Sequence, residues 1–206
     1  MKTAKNSFFA LATFALSAPV LALAADRIEP GNYAIDPMHT KVGFEVPHLV
    51  ISSVEGRFNA FSGELQVPAK VEDSKLTATI ETSSVDTGIG QRDEHLRSAD
   101  FFDAKKYPKM TFQARKIAMD GNAMKVTGDL TIKGNTRQVT LDGRYLGAAK
   151  DAYGNQKIAF TASTKISRKD FGLTWNKAVE AGPVVGDEIT ISLKVQAAKA
   201  QAQAKK

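Results

Sequence analysis

Three histidines, His39, His48 and His95, are the side chains of this sequence best suited to proton transfer or metal binding near neutral pH. Asp36, Asp93, Glu94 and Asp100 lie near them along the chain. Gathered in space, such a set would make a metal centre or a general-base site. The spacings match no ligand motif of the H-E-x-x-H kind, and nothing in the sequence draws the three histidines together. The plainer reading is that each closes a loop by a hydrogen bond, as in the turn Asp36-Pro37-Met38-His39. No Ser stands in a G-x-S-x-G context, no Cys is present, and no glycine-rich phosphate loop occurs. The pairs Arg92-Asp93 and Arg168…Asp170 read as ion pairs at loop bases in preference to ligand contacts. We therefore assign no catalytic residue, no metal ligand and no cofactor, and expect a protein that is not an enzyme.

The apolar residues carry more information. Phe44, Phe58, Phe61, Phe112 and Phe160 fall on the inward faces of predicted strands, and Ile80, Val126, Leu130, Leu141 and Ile191 share those faces. Trp175 lies in an insertion between two strands. Together they are the candidate lining of a ligand cavity. The same residues would equally fill a solid barrel, and periodicity does not separate the two cases.

The elements that must position them alternate with a period of two. Val42, Phe44 and Val46 oppose Gly43 and Glu45; Leu76, Ala78 and Ile80 oppose Thr77, Thr79 and Glu81; Met110, Phe112 and Ala114 oppose Thr111, Gln113 and Arg115. The pattern continues through Met124, Val126, Gly128, Leu130 and Ile132, through Val139, Leu141 and Tyr145, and through Ile158, Phe160, Ala162 and Ile166. It ends with Ile189, Ile191, Leu193 and Val195. Residues 56–67 are also extended, but the phase slips: Phe58 is on even parity, whereas Phe61, Gly63, Leu65 and Val67 are on odd. One extra residue near Asn59 or Ala60, a bulge, restores a single inward face.

About eight long strands result, the number of a small closed barrel. Turn signals at Asp120-Gly121-Asn122, Gly134-Asn135 and around Gly154 join neighbours closely and favour an up-and-down meander over a sandwich. Closure also removes exposed edges. The fold class is all-β, an eight-stranded antiparallel barrel with short helical insertions. Residues 91–103, with Leu96, Ala99 and Phe102 near helical spacing, read as a helix and loop over one barrel end. A smaller insertion spans 167–187.

The chain ends differ from its body. Lys2 and Lys5 precede an apolar run that closes on Ala22-Leu23-Ala24, the pattern of a secretory signal cleaved after Ala24. Residues 197–206 contain only Ala, Gln and Lys and are expected to be a frayed tail. The domain plan is thus 1–24 signal peptide, 25–196 barrel and 197–206 tail. The chain carries 28 basic and 22 acidic residues, but without the two ends 23 basic residues face 22 acidic ones, a net of +1. A body so balanced lacks the basic excess of a nucleic-acid binder.

Several motifs resemble those of one family. Tyr33-Ala34-Ile35-Asp36-Pro37-Met38-His39-Thr40-Lys41-Val42-Gly43-Phe44 is similar to the opening signature of the YceI-like family. So are Gly56-Arg57-Phe58 with Phe61-Ser62-Gly63, and Ser84-Val85-Asp86-Thr87-Gly88. The strongest match is Arg92-Asp93-Glu94-His95-Leu96-Arg97-Ser98 running into Asp100-Phe101-Phe102-Asp103 and Tyr107-Pro108. Gly128-Asp129-Leu130-Thr131-Ile132 and Arg168-Lys169-Asp170-Phe171-Gly172 follow in order. The resemblance implies a lipocalin-like barrel exported to the periplasm, with an elongated cavity for a polyisoprenoid, a quinone-like lipid or another long-chain amphiphile. It also implies transient membrane contact, possible homodimers and no established catalysis. Two other readings stay open at this point: an enzyme acting on such a lipid through His39, His48, His95 and Asp93, and a solid barrel serving as an interaction module.

Overall fold

The structure, a computed structural model, describes residues 28–49, 51–179 and 182–200. The expected signal segment 1–24 lies outside them. Among the described residues thirteen strands are formed: β1 (Gly31–Ile35), β2 (Lys41–His48), β3 (Ser52–Phe58), β4 (Phe61–Val67), β5 (Lys75–Glu81), β6 (Val85–Asp86), β7 (Lys109–Asp120), β8 (Ala123–Ile132), β9 (Asn135–Lys150), β10 (Gln156–Ser167), β11 (Ala178–Val179), β12 (Gly182–Pro183) and β13 (Glu188–Lys199). One helix, α1 (Gly90–Arg97), follows β6.

Every long pairing is antiparallel between neighbours in the chain, and β13 returns to pair with both β1 and β2. β1 and β2 are two halves of one broken stave: β13 pairs with β1 at Ala197–Lys199 and with β2 at Thr190–Lys194. β3 with β4, and β5 with β6, make two more broken staves. Counted by stave, the sheet is an eight-stranded closed barrel with up-and-down order, as alternation and turn chemistry indicate.

The slipped phase at 58–61 is realised as a break. β3 stops at Phe58 and β4 begins at Phe61, so the two phenylalanines both reach the interior although three residues apart. The backbone freed at the break is re-bonded sideways: Asn59 N–H donates to the Ser84 carbonyl (3.1 Å), and Glu81 N–H to the Ala60 carbonyl (2.9 Å). The break between β1 and β2 is closed in the same manner. Asp36 N–H donates to the Gln196 carbonyl (2.8 Å), and Gln196 N–H donates to Thr40 Oγ1 (3.0 Å).

Two expectations need correction. Gly31–Ile35 is a strand that the alternation did not mark. Residues 197–199 are not a frayed tail: Ala197 is 3% exposed and pairs with Ile35 and Ile158, so the end of β13 closes the barrel. Alanine's small side chain suits the crowded seam, which is why a polar-looking tail can be buried there. The helix and loop expected over 91–103 are present: α1 ends at Arg97, and turns follow it.

Candidate functional site

The inward residues of the staves surround a cavity of about 450 Å³ that runs from Ile28, Val71 and Met119 near one end to His48, His95 and Trp175 near the other. Because side chains alternate along each strand, one apolar set faces inward and one polar set faces water. All of the candidate lining residues stand on the cavity wall: Phe44, Phe58, Phe61, Ile80, Phe112, Val126, Leu130, Leu141, Phe160, Trp175 and Ile191. The interior is therefore hollow, not filled by these side chains.

Others on the wall were hidden by local irregularities. A bulge after Ala114 shifts the register of β7 against β8, so that Ile117 and Met119 turn inward in place of Lys116 and Ala118. The apolar-charged order of Lys116-Ile117 carries that signal, as Phe58 and Phe61 do for the first slip. Phe101 and Phe102, from the turns after α1, also reach the cavity. Phe102 meets Phe58 edge-on at 5.6 Å, and Phe101 lies 5.1 Å from Trp175. These rings form an aromatic cover at the end that α1 spans. At the opposite end Tyr145 and Phe160 pack 5.5 Å apart beside Tyr33 and Val67.

The polar motifs hold this cover in place. Asp93 is 6% exposed and accepts from Thr87 N–H (2.9 Å) and Thr87 Oγ1 (2.6 Å). Arg92 Nε donates to the same Thr87 hydroxyl and its Nη2 to the Thr87 carbonyl (2.7 and 2.8 Å). Arg97 reaches back to the carbonyls of Ser83 and Val85. Arg92 and Asp93 thus converge on Thr87 in place of the direct ion pair expected. Arg168 departs from expectation as well. It pairs with Asp187 (2.9 Å), not Asp170, and donates to the carbonyls of Gly186, Leu173, Trp175 and Val185. At 4% exposure, one guanidinium ties Leu173 and Trp175 to Val185, Gly186 and Asp187. An arginine suits this role because its donors form a fixed planar fork.

The histidines make different contacts. His39 pairs with Asp36 (3.0 Å) within its turn, and His95 with Asp100 (2.9 Å) while its ring stands edge-on to Trp175. His48 ends β2, where its backbone bridges Val185. Burial pushes the Asp36 carboxyl up, but hydrogen bonds from His39, the Met38 N–H, Lys157 and Gln196 outweigh it and hold the group down at about 2. Among the described residues no three His, Asp or Glu side chains are grouped to hold a metal ion.

A closed antiparallel meander around an unfilled apolar interior defines the lipocalin-like class of barrel. Within that class the chain belongs to the YceI-like family, whose domain profile matches residues 33–197. It is 36% identical over 179 residues to the protein YceI of Escherichia coli O157:H7, covering 85% of this chain and 91% of that one. A Campylobacter jejuni YceI crystal structure superposes with a TM-score of 0.66 at 39% identity, over 81% of this chain and 96% of the other. A polyisoprenoid-binding domain from Saccharophagus degradans shares the fold at TM-score 0.60 and 16% identity, over 82% of this chain and 98% of its own.

Proposed function

We propose that this protein encloses the apolar chain of an isoprenoid, a quinone-like lipid or a similar long-chain amphiphile, and carries or sequesters it in the periplasm after removal of residues 1–24. The observation that carries the reading is the continuous apolar cavity of about 450 Å³ inside a closed barrel. A hollow interior of this size costs packing energy, which an apolar ligand restores.

Dimensions support a chain-shaped occupant. Inward residues of β13 run from Ile189 to Ala197, a distance of about 27 Å along the strand and about 20 Å along a barrel axis tilted by about 40°. Each buried methylene contributes about 0.8 kcal/mol, so ten give about 8 kcal/mol before ordering and association costs. A polyisoprenoid-binding domain shares this fold, in keeping with such cargo. His39, His95 and Asp93, which a lipid-modifying enzyme would need, are tied instead into separate loop contacts.

Purification from cells without detergent, followed by native mass spectrometry, tests the reading. A hydrophobic adduct released by organic extraction is expected. A clean apo mass that takes up no long-chain prenol or quinone on incubation would defeat it.

A further inference from the structure

The β2–β3 hairpin rises beyond the barrel ladder. β13 pairs with β2 only as far as Glu45, and β6 meets β3 only at Arg57 and Phe58. Above those levels the hairpin is braced on one side, by the His48–Val185 bridge, by Leu49 N–H donating to the Val184 carbonyl (3.0 Å), and by Gly186 N–H donating to the Pro47 carbonyl (2.8 Å). On its other side the chain leaves Asp86 antiparallel to β3 and so runs toward the hairpin tip through Thr87, Gly88 and Ile89. Val46, Pro47, His48 and Val54 of the hairpin, and Thr87 of the neighbouring segment, all line the cavity. These two segments form part of its rim.

The chemistry of that rim is unusual for solvent-facing loops. No Asp, Glu, Lys or Arg occurs between Glu45 and Glu55, nor between Asp86 and Arg92, in a chain that is 24% charged. Leu49 and Ile51 stand in the hairpin turn, where Gly, Asn or Asp is the ordinary choice. Ile51 is 89% exposed and Ile89 53% exposed. Leu49 holds a left-handed backbone (φ 51°), a conformation disfavoured for a bulky residue. Exposed apolar residues that cluster on an uncharged rim mark a surface meant to be covered.

We infer that this rim, with Ile51 and Ile89 at its points, is the face that docks on a lipid bilayer. The inference rests on the proposed function: cargo insoluble in water must be exchanged where it is dissolved, and the rim is continuous with the cavity wall. Since the segments carry no charge, the contact is apolar. It therefore depends little on anionic lipid or on salt, unlike a polybasic patch.

The test compares wild type with I51D, I89D and the double variant, using Y153D in the opposite end as control. Two readouts are taken on mature protein. The first is flotation with vesicles of phosphatidylcholine alone and of phosphatidylethanolamine with phosphatidylglycerol. The second is the rate at which a long-chain prenol passes between vesicles. The double variant should lose at least about tenfold in flotation or in transfer rate, in both lipid mixtures and at low and high salt. Y153D should match wild type, and prenol loading from detergent micelles should be unchanged in all four. Equal flotation and equal transfer in the double variant would overturn the inference, and so would self-association through this face that I51D abolishes. Failure of the micelle loading itself would instead count against the cavity reading, and the flotation arm would still judge the docking face.

Discussion

The two ends of the barrel are built by different means. At the end bearing Asp120-Gly121-Asn122 and the 151–155 turn, long strands meet in short connections and the ladder supplies the hydrogen bonds. Charged residues such as Asp120, Lys150 and Asp151 keep those turns in water. At the other end the stave made of β5 and β6 is broken, Arg97 and Asp93 bond the backbone around β6, and Arg168 and Asn176 bond that of the adjoining insertion. Replacing ladder with side-chain bonds at one end gives the cap its own stability, separable from that of the wall.

That difference sets the scale of several substitutions. Arg168→Met should be the most damaging, because it strands the carbonyls of Leu173, Trp175, Val185 and Gly186 and leaves Asp187 with Lys169 alone. A loss of about 3–5 kcal/mol is expected in urea denaturation, with the near-ultraviolet signal of Trp175 collapsing. Asp151→Ala at the ladder-built end should cost only about 1 kcal/mol. Equal losses would erase the contrast between the ends.

Gly128→Val probes the uninterrupted wall. A Cβ at Gly128 would stand 2.5 Å from the Gln113 carbonyl oxygen and 2.5 Å from Phe112 Cζ. Backbone cannot yield as a side chain can, so the change should cost about 2–3 kcal/mol. Thr127→Val on the outer face, where Thr127 Oγ1 shares only a hydrogen bond with Thr140 (2.9 Å), should be nearly neutral. Thermal denaturation of both variants decides it, and similar losses would mean that the faces are misassigned.

Phe112→Ala and Phe160→Ala enlarge the cavity from within. In delipidated protein each should cost about 1–2 kcal/mol, short of the about 3–5 kcal/mol of a solid core, and competition between prenols should shift toward bulkier chains. Full core-like loss with unchanged preference would place the ligand elsewhere in the barrel.

The smallest effect is one of pH. Asp36 is held at about 2 in the folded protein, below its unfolded value. Its contribution is therefore complete above the unfolded value and is lost as pH falls through the folded one. Between about pH 5 and pH 2 wild type should lose stability that Asp36→Asn has already forfeited, so the two curves converge. Curves that stay parallel over that range would show that the seam between β1 and β2 does not depend on this carboxylate.

The wall was legible in the sequence because its signal is local: Phe112, Leu130 and Phe160 each alternate with polar neighbours. Even the break at 58–61 announced itself, since two phenylalanines on opposite parity cannot both face inward on one regular strand. The bulge that turns Ile117 and Met119 inward left the same kind of mark. The partners of Arg168 and Thr87 left none. Those bonds go to backbone carbonyls or across loops, and a carbonyl has no letter of its own. The closing seam was hidden for another reason: Ala197 and Ala198 are small because the seam is tight, and small residues beside Lys and Gln read as tail. The family motifs around Arg92 and Arg168 marked where the cap is built before its geometry explained why.

The central claim is that the hollow barrel exists to hold an apolar chain. Native mass spectrometry of the protein isolated from cells without detergent measures this directly when paired with identification of the extracted lipid. The account predicts a stoichiometric adduct whose chain is long and apolar, displaced by added prenol or quinone and not by short-chain analogues. A homogeneous apo mass from cells, with no uptake of any long-chain lipid under conditions that leave the barrel folded, would contradict it.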